Sequence, residues 1–231
     1  KLFGFPIRKP DEKIKQHHCN LAFAIQNITE NIVLKMATEA KKITNCDNLC
    51  LAGGVALNCV VNGKILTQNL FKSIYIQPAA NDSGGALGAA LAANYIYFKQ
   101  KRFAKKENDI MEGTYLGPNF SNKEVKLMNE KVKALYTFHN DFKELSLFTA
   151  NKLAKGNIIG CFQWRMEFCP RALGNRSILA NPRNSEMQKK INLKIKYREG
   201  FRPFAPSVLA EDVKLYFDIT SPSPYMLFTA P

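Results

Sequence analysis

No apolar run in this sequence is long enough to cross a membrane. The most apolar stretch, residues 86–98, is closed by Lys99 and Lys101 before it reaches the roughly 20 residues that a helical span requires. No secretory leader is visible in the opening KLFGFPIRKPDEK, which has neither an uninterrupted apolar core nor a small-residue cleavage site. The expectation is a cytoplasmic protein with no membrane partner. Cys46-x3-Cys50 has nearly the spacing of half a zinc site, but no second Cys or His pair follows it, which argues against zinc. The six cysteines are therefore read as reduced thiols. There is no internal repeat and no low-complexity tract. The first residue is not Met, and the final SPSPYMLFTAP closes on no regular element. From both ends we expect a chain that continues in a longer reading frame.

Acidic side chains are scarce: 19 Asp and Glu against 33 Lys and Arg leave a formal charge of +14. Such a charge nominates nucleic acid as a partner, but its distribution argues otherwise. Lys is scattered along the chain up to about Lys155, on the faces of predicted helices, where a solvated surface accounts for it. Six of the eight Arg fall between Arg165 and Arg202. Arg is the residue suited to planar, bidentate binding of phosphate or carboxylate. That concentration sets a phosphorylated small molecule ahead of a polymer backbone.

With 46% hydrophobic and 23% charged residues, the chain has the balance of a folded globular protein of one large or two small domains. Apolar positions at helical spacing predict a helix over 21–42. The short runs 49–52 and 73–76, stopped by Gly53-Gly54 and Pro78, read as buried strands. Helices are predicted over 56–70 and 86–97. This alternation is an α/β unit with parallel strands. Charge, Gly and Pro between residues 99 and 118 set a domain boundary near Glu112, giving domains 1–112 and 113–231. In the second, helices are predicted over 121–135, 142–155 and 185–196, and strands over 157–162 and 206–209.

Three segments carry chemistry. In LAGGVALN (51–58) a strand ends in Gly-Gly and feeds a helix, which presents backbone N–H groups at the carboxyl edge of a sheet. Glycine lets a phosphate approach where a Cβ would hold it off; the alternative is a plain tight turn. NDSGGA (81–86) repeats the device and adds Asp82, which either ligates a cation or caps the helix. The local sequence favours the cap. The third segment runs RMEFCPRALGNRS (165–177) and KYREGFRPFAP (196–206). Arg among Phe, Pro and Leu is costly to bury unless it meets an anion. Only Glu167, Glu186 and Glu199 lie near in sequence, so an exogenous anion is expected to take up the balance.

These phrases, together with IYIQPAANDSGGALGAAL and RMEFCPRALGNRSILANPR, closely resemble the nodulation and antibiotic O-carbamoyltransferases, from about residue 21 to 231. The resemblance implies an α/β fold. Its first part would belong to an actin-like (ASKHA) ATPase-type domain. An incomplete α/β domain resembling the threonylcarbamoyl-adenylate synthases would follow. It implies ATP-dependent transfer of a carbamoyl group from carbamoyl phosphate, through carbamoyl-adenylate, to a hydroxyl of a sugar or other small molecule. Carried over by position, Gly53, Gly54, Val55 and Asn58 would lie along the nucleotide, and Ser83, Gly84 and Gly85 beside its phosphates. Asp82 would ligate a divalent metal, with iron, magnesium or manganese as the choices. Arg165, Arg171, Arg176, Arg198 and Arg202 would hold carbamoyl phosphate and the adenylate, with Arg171 and Arg202 nearest the chemistry.

Some departures from the family pattern accompany the match. The sequence has no His-x-x-x-His to supply the other metal ligands, and His17 and His18 read as surface residues. The family's downstream Asn-Thr-Ser is absent from this stretch. Trp164 and Cys169 stand where glycine is usual, and Asn181 where Asp is usual. These departures motivate a rival reading, a relative that binds nucleotide or phosphate without turnover. An RNA-binding protein ranks below both, since no basic strand interleaved with aromatics is present. As an isolated stretch, the chain is expected to lack the complete reaction.

Overall fold

The computed structural model describes residues 2–9, 11–103, 109–219 and 222–230. The first long element, α1 (Gln16–Thr44), begins five residues before the predicted helix, where the Lys15 N–H donates to Nδ1 of His18. It ends at Asn45, whose left-handed backbone (φ 48°) turns its N–H back onto the Lys41 carbonyl at 2.9 Å. The Asp47 carboxylate lies between Lys41 and Lys72, and the hydrogen bonds from these two ammonium groups lower its pKa to about 2. These contacts fix the departure of β1 (Asn48–Leu51) from α1. That strand pairs in parallel with β2 (Ser73–Ile76), in the register Asn48↔Ser73 to Leu51↔Ile76.

Between the strands, the predicted helix over 56–70 is broken in two. A 3-10 turn occupies Gly54–Leu57, and α2 runs Cys59–Thr67. The break is at Asn58, whose extended backbone (φ −76°, ψ 91°) lets its side-chain oxygen accept the Val61 N–H at 3.3 Å. The helix α2 then buries Val61 and Ile65 completely. After β2, α3 (Asp82–Ala92) is followed by a π turn, Ala93–Tyr97.

In the second part, α4 (Asn122–Lys131) opens with a capping box between Ser121 and Glu124. The Asp141 carboxylate caps α5 (Phe142–Ala154) through the Lys143 N–H at 2.9 Å. Strand β3 (Ile159–Phe162) lies where a strand was predicted, but its antiparallel partner β4 (Arg176–Leu179) comes out of the arginine-rich segment. The strand predicted over 206–209 does not form: this stretch pairs with no strand among the described residues and leads into a 3-10 turn at Ala210–Asp212. Helices α6 (Met187–Lys194) and α7 (Val213–Tyr216) complete a mixed α/β fold with two small sheets. No helix among the described residues is long and apolar enough to cross a membrane.

The chain ends cross between the two parts. Leu227 is buried in one cluster with Ala56, Ile76 and Ala80, flanked by Tyr225 and Phe228. The buried amide of Asn62 donates to the carbonyls of Ala56 (2.8 Å) and Leu227 (2.9 Å), so the C-terminal strap also steadies the turn after β1. Gly63 is required where the strap passes, because a Cβ there would lie 2.6 Å from Oγ1 of Thr229. At the other end, Arg8 reaches Glu199 at 3.7 Å.

Candidate functional site

Because β1 and β2 are adjacent and parallel, the two glycine turns that follow them lie at the same edge of the sheet. Gly53 takes φ +93°, a conformation that strains any L side chain. A Cβ built on Gly53, Gly54 or Gly85 would meet nothing within 4 Å among the described residues, so the backbone there is bare. Such a surface fits the approach of a nucleotide phosphate. Gly84 differs, since its Cβ would lie 2.0 Å from the Ala79 carbonyl oxygen; its smallness serves internal packing.

Side chains around the turns divide into committed and open ones. Val55 is exposed. Asn58 is committed: its amide donates to Oε1 of Gln26 at 2.9 Å while its oxygen caps α2. Gln26 in turn donates to the buried Glu30 at 2.8 Å, and Glu30 pairs with Lys64. The hydrogen bond from Lys64 leads in lowering the Glu30 pKa, followed by that from Gln26. The helix-cap reading of Asp82 is corrected. Asn81 holds the N-cap position, and its side-chain oxygen accepts from Oγ of Ser83 at 2.6 Å. Asp82 is an exposed residue of the first turn of α3, where a carboxylate complements the helix dipole. Among the described residues no three of His, Cys, Asp and Glu converge, so the residues present do not form a metal site by themselves.

The arginine-rich segment is organised by a residue that sequence reasoning had counted only as an ion-pair partner. Glu167 has a fully buried side chain. Its Oε1 accepts the N–H groups of Leu173 (2.8 Å), Asn175 (2.9 Å) and Arg176 (3.3 Å), and its Oε2 accepts Nε of Arg176 at 2.9 Å. Burial pushes its pKa up, but the backbone N–H groups of Leu173, Glu167 and Asn175 and the Arg176 guanidinium outweigh it, and the net direction is down. Tyr115 closes the same loop, donating from its hydroxyl to the Leu173 carbonyl at 2.8 Å. A carboxylate four residues ahead of RALGNR was the available signal, but its role depends on the local curl of residues 173–176.

The expectation that six Arg need an outside anion for want of carboxylates has to be revised, because backbone carbonyls and side-chain amides take up several of them. Arg165 donates to the carbonyls of Gly117 (2.9 Å) and Leu116 (3.2 Å), and Arg183 to Oδ1 of Asn181 (3.2 Å). Arg198 donates to Oδ1 of Asn192 at 2.7 Å and stacks over Phe204, while Arg202 pairs with Glu199 at 2.8 Å. Arg171 is different: its Nη2 donates to the carbonyl of Leu57 at 2.7 Å, within the first glycine turn. The structure therefore brings Arg171 to the first glycine turn. It sets Arg165 and Arg176 around the Glu167 loop, and Arg198 and Arg202 beside α6.

His17 and His18 are half-buried rather than on the open surface: their Nε2 atoms lie 3.0 Å apart, and the His17 ring packs on Phe5. Trp164 has left-handed backbone (φ 47°), the conformation glycine adopts most readily, and its exposed indole stacks on Phe142 with centroids 6.3 Å apart. Trp164→Gly is expected to leave the thermal midpoint within about 2 °C. Relief of about 1 kcal/mol of backbone strain offsets a ring contact of similar size. A fall well beyond that in a melting curve would mean that the indole carries packing not accounted for by Phe142.

Comparison with known proteins finds two matching family models. Residues 2–91 match the family described as Carbamoyltransferase N-terminus, and residues 150–231 match Carbamoyltransferase C-terminus. The first match takes in both glycine turns and the second the whole arginine-rich segment, and the chain belongs to the carbamoyltransferase family. Nodulation protein NolO of Bradyrhizobium diazoefficiens is 40% identical over 233 residues, covering 98% of this chain and 41% of the relative. Nodulation protein NolNO of Sinorhizobium fredii is 38% identical over 236 residues, covering all of this chain and 34% of the relative. An uncharacterized Synechocystis protein, sll1178, is 52% identical over 231 residues, 99% of this chain and 37% of its own length. The chain thus spans 34–41% of the length of these relatives.

Proposed function

We propose that this chain is part of an ATP-dependent O-carbamoyltransferase that uses carbamoyl phosphate to modify a hydroxyl of a small molecule. The observation that carries the reading is the pair of glycine turns at one sheet edge, bare at Gly53, Gly54 and Gly85, with Arg171 of the arginine-rich segment bonded to Leu57 in the first of them. In this reading the first part is actin-like (ASKHA) and the second resembles the threonylcarbamoyl-adenylate synthases. Water releases phosphate from carbamoyl phosphate to leave carbamate. A carbamate oxygen then attacks the α-phosphorus of ATP, forming carbamoyl-adenylate and expelling pyrophosphate. The acceptor hydroxyl next attacks the carbamoyl carbon, loses its proton and releases AMP.

The second step brings two anions together, carbamate and ATP, which fixed guanidinium groups favour because their charge is already oriented. Arg165, Arg171, Arg176, Arg198 and Arg202 are assigned to that task. Gly53, Gly54, Val55 and Asn58 with Ser83, Gly84 and Gly85 are assigned to the nucleotide. Asn58 acts there through the cap and the Gln26 bond that hold its turn. Asp82 is assigned to contribute one carboxylate to a divalent cation, with iron, magnesium or manganese as candidates.

The test is release of phosphate from carbamoyl phosphate and of pyrophosphate from ATP by the whole protein. Pyrophosphate release is expected only when ATP and carbamoyl phosphate are both present. No release alongside intact ATP binding would replace this reading with one of binding without turnover, the role that Trp164 and Cys169 at glycine positions favour.

A further inference from the structure

Arg171 joins two places that the sequence keeps 114 residues apart. Its Nη2 holds the Leu57 carbonyl at the end of the 3-10 turn Gly54–Leu57. The preceding carbonyl, of Ala56, is held by Asn62. The backbone of Arg171 is itself fixed, because its carbonyl accepts from Sγ of Cys169 at 2.9 Å. Oγ1 of the fully buried Thr114 lies 3.7 Å from the same sulfur. A guanidinium has five N–H donors in a planar fork. Only the Leu57 bond engages this one among the described residues, which leaves most of the fork available.

We propose that Arg171 couples the first glycine turn to the anion bound by the arginine-rich segment. One edge of its guanidinium grips the Leu57 carbonyl, and the remaining donors receive a phosphate oxygen. A phosphate on the fork restricts the side chain and so steadies the turn. By linkage, a ligand that steadies the turn raises affinity for the phosphate. A lysine cannot do both, since its ammonium is a single point of donors rather than a rigid fork. The inference rests on the proposed function only in taking the anion to be the phosphate of the carbamoyl donor.

Amide exchange in the whole protein provides the test, with inorganic phosphate as the probe against chloride at matched ionic strength. The reporters are the N–H groups of Ala56 and Asn58, each bonded within the turn at 3.0 Å. Phosphate is expected to slow their exchange in the unmodified protein. Arg171→Met should speed exchange about tenfold without phosphate, the loss of one hydrogen bond to a charged group, and should abolish the phosphate response. Arg171→Lys should also lose that response.

Exchange at Ala56 and Asn58 that ignores phosphate in the unmodified protein overturns the proposal, whether or not the variants fold. So does a Lys variant that responds like the original. Carbamoyl phosphate turnover with an unresponsive turn would sink this inference alone. A responsive turn without turnover would sink the enzymatic reading and leave the coupling standing.

Discussion

Glu167→Gln is expected to lower stability by about 3 kcal/mol, roughly 10 °C in thermal midpoint for a chain of this size. The substitution keeps the shape and removes the charge. In the native loop the buried carboxylate takes three backbone N–H groups and the Arg176 guanidinium, all of them donors. A glutamine offers one oxygen to this set and turns an NH2 group against the rest, leaving buried donors unsatisfied and Arg176 unpaired. The pH dependence follows from the lowered pKa. The folded state holds this proton less tightly than the unfolded chain, whose ordinary value is 4.5. The stabilisation is therefore complete above that value and is lost as pH falls through the lower, folded value. Melting curves taken downward from pH 6 should fall more steeply for the unmodified protein than for Glu167→Gln. Parallel curves, or a variant within about 0.5 kcal/mol of the original, would show that the loop does not depend on the carboxylate.

Gly84→Ala and Gly85→Ala, one residue apart on α3, should move stability in opposite directions. At Gly84 the new methyl would sit 2.0 Å from a backbone oxygen of Ala79, and neither atom belongs to a flexible side chain that can swing away. The start of α3 has to shift from β2, at a cost of about 3 kcal/mol. At Gly85 the methyl enters open space, and replacing glycine by alanine within a helix gains about 0.5–1 kcal/mol. Thermal melts of the two variants decide this: a shared direction refutes the packing account. The Gly85 variant also probes the site. If the bare backbone receives a nucleotide phosphate, Gly85→Ala weakens binding of an ATP analogue while making the protein more stable. Unchanged affinity would move the phosphate away from this turn.

What could be read from sequence was what local periodicity and punctuation control. β2 was bounded by its apolar run and Pro78, and α5 by the helical pattern over 142–155. The boundary of α2 was misjudged because Asn58 was weighed as a ligand-facing residue, not as the cap that interrupts a helix. β4 escaped notice because RSIL carries its strand signal inside an arginine motif and depends on pairing with β3. Residues 206–209 have the apolar look of a strand but no neighbour to pair with among the described residues. At the site, the strand-to-helix glycine turns were visible as pattern. The partners of the arginines were not, since tallying nearby Glu overlooks carbonyls such as Leu116, Gly117 and Leu57. Nor does anything local in VVNGKIL reveal that Asn62 waits for Leu227.

That last contact has a consequence for biosynthesis. Asn62 and Leu227 are separated by 165 residues, and the cluster around Ala56 and Ile76 is sealed only when Leu227 arrives. At translation rates of about 5–20 residues per second, the first strand pair leaves the ribosome on the order of ten seconds or more before its last wall exists. During that interval the sheet edge beneath the glycine turns stays uncovered. The nascent chain then depends on whatever protects apolar surface in the cell, and a ribosome stalled before Leu227 would hold a first half that is helical and paired but not yet closed.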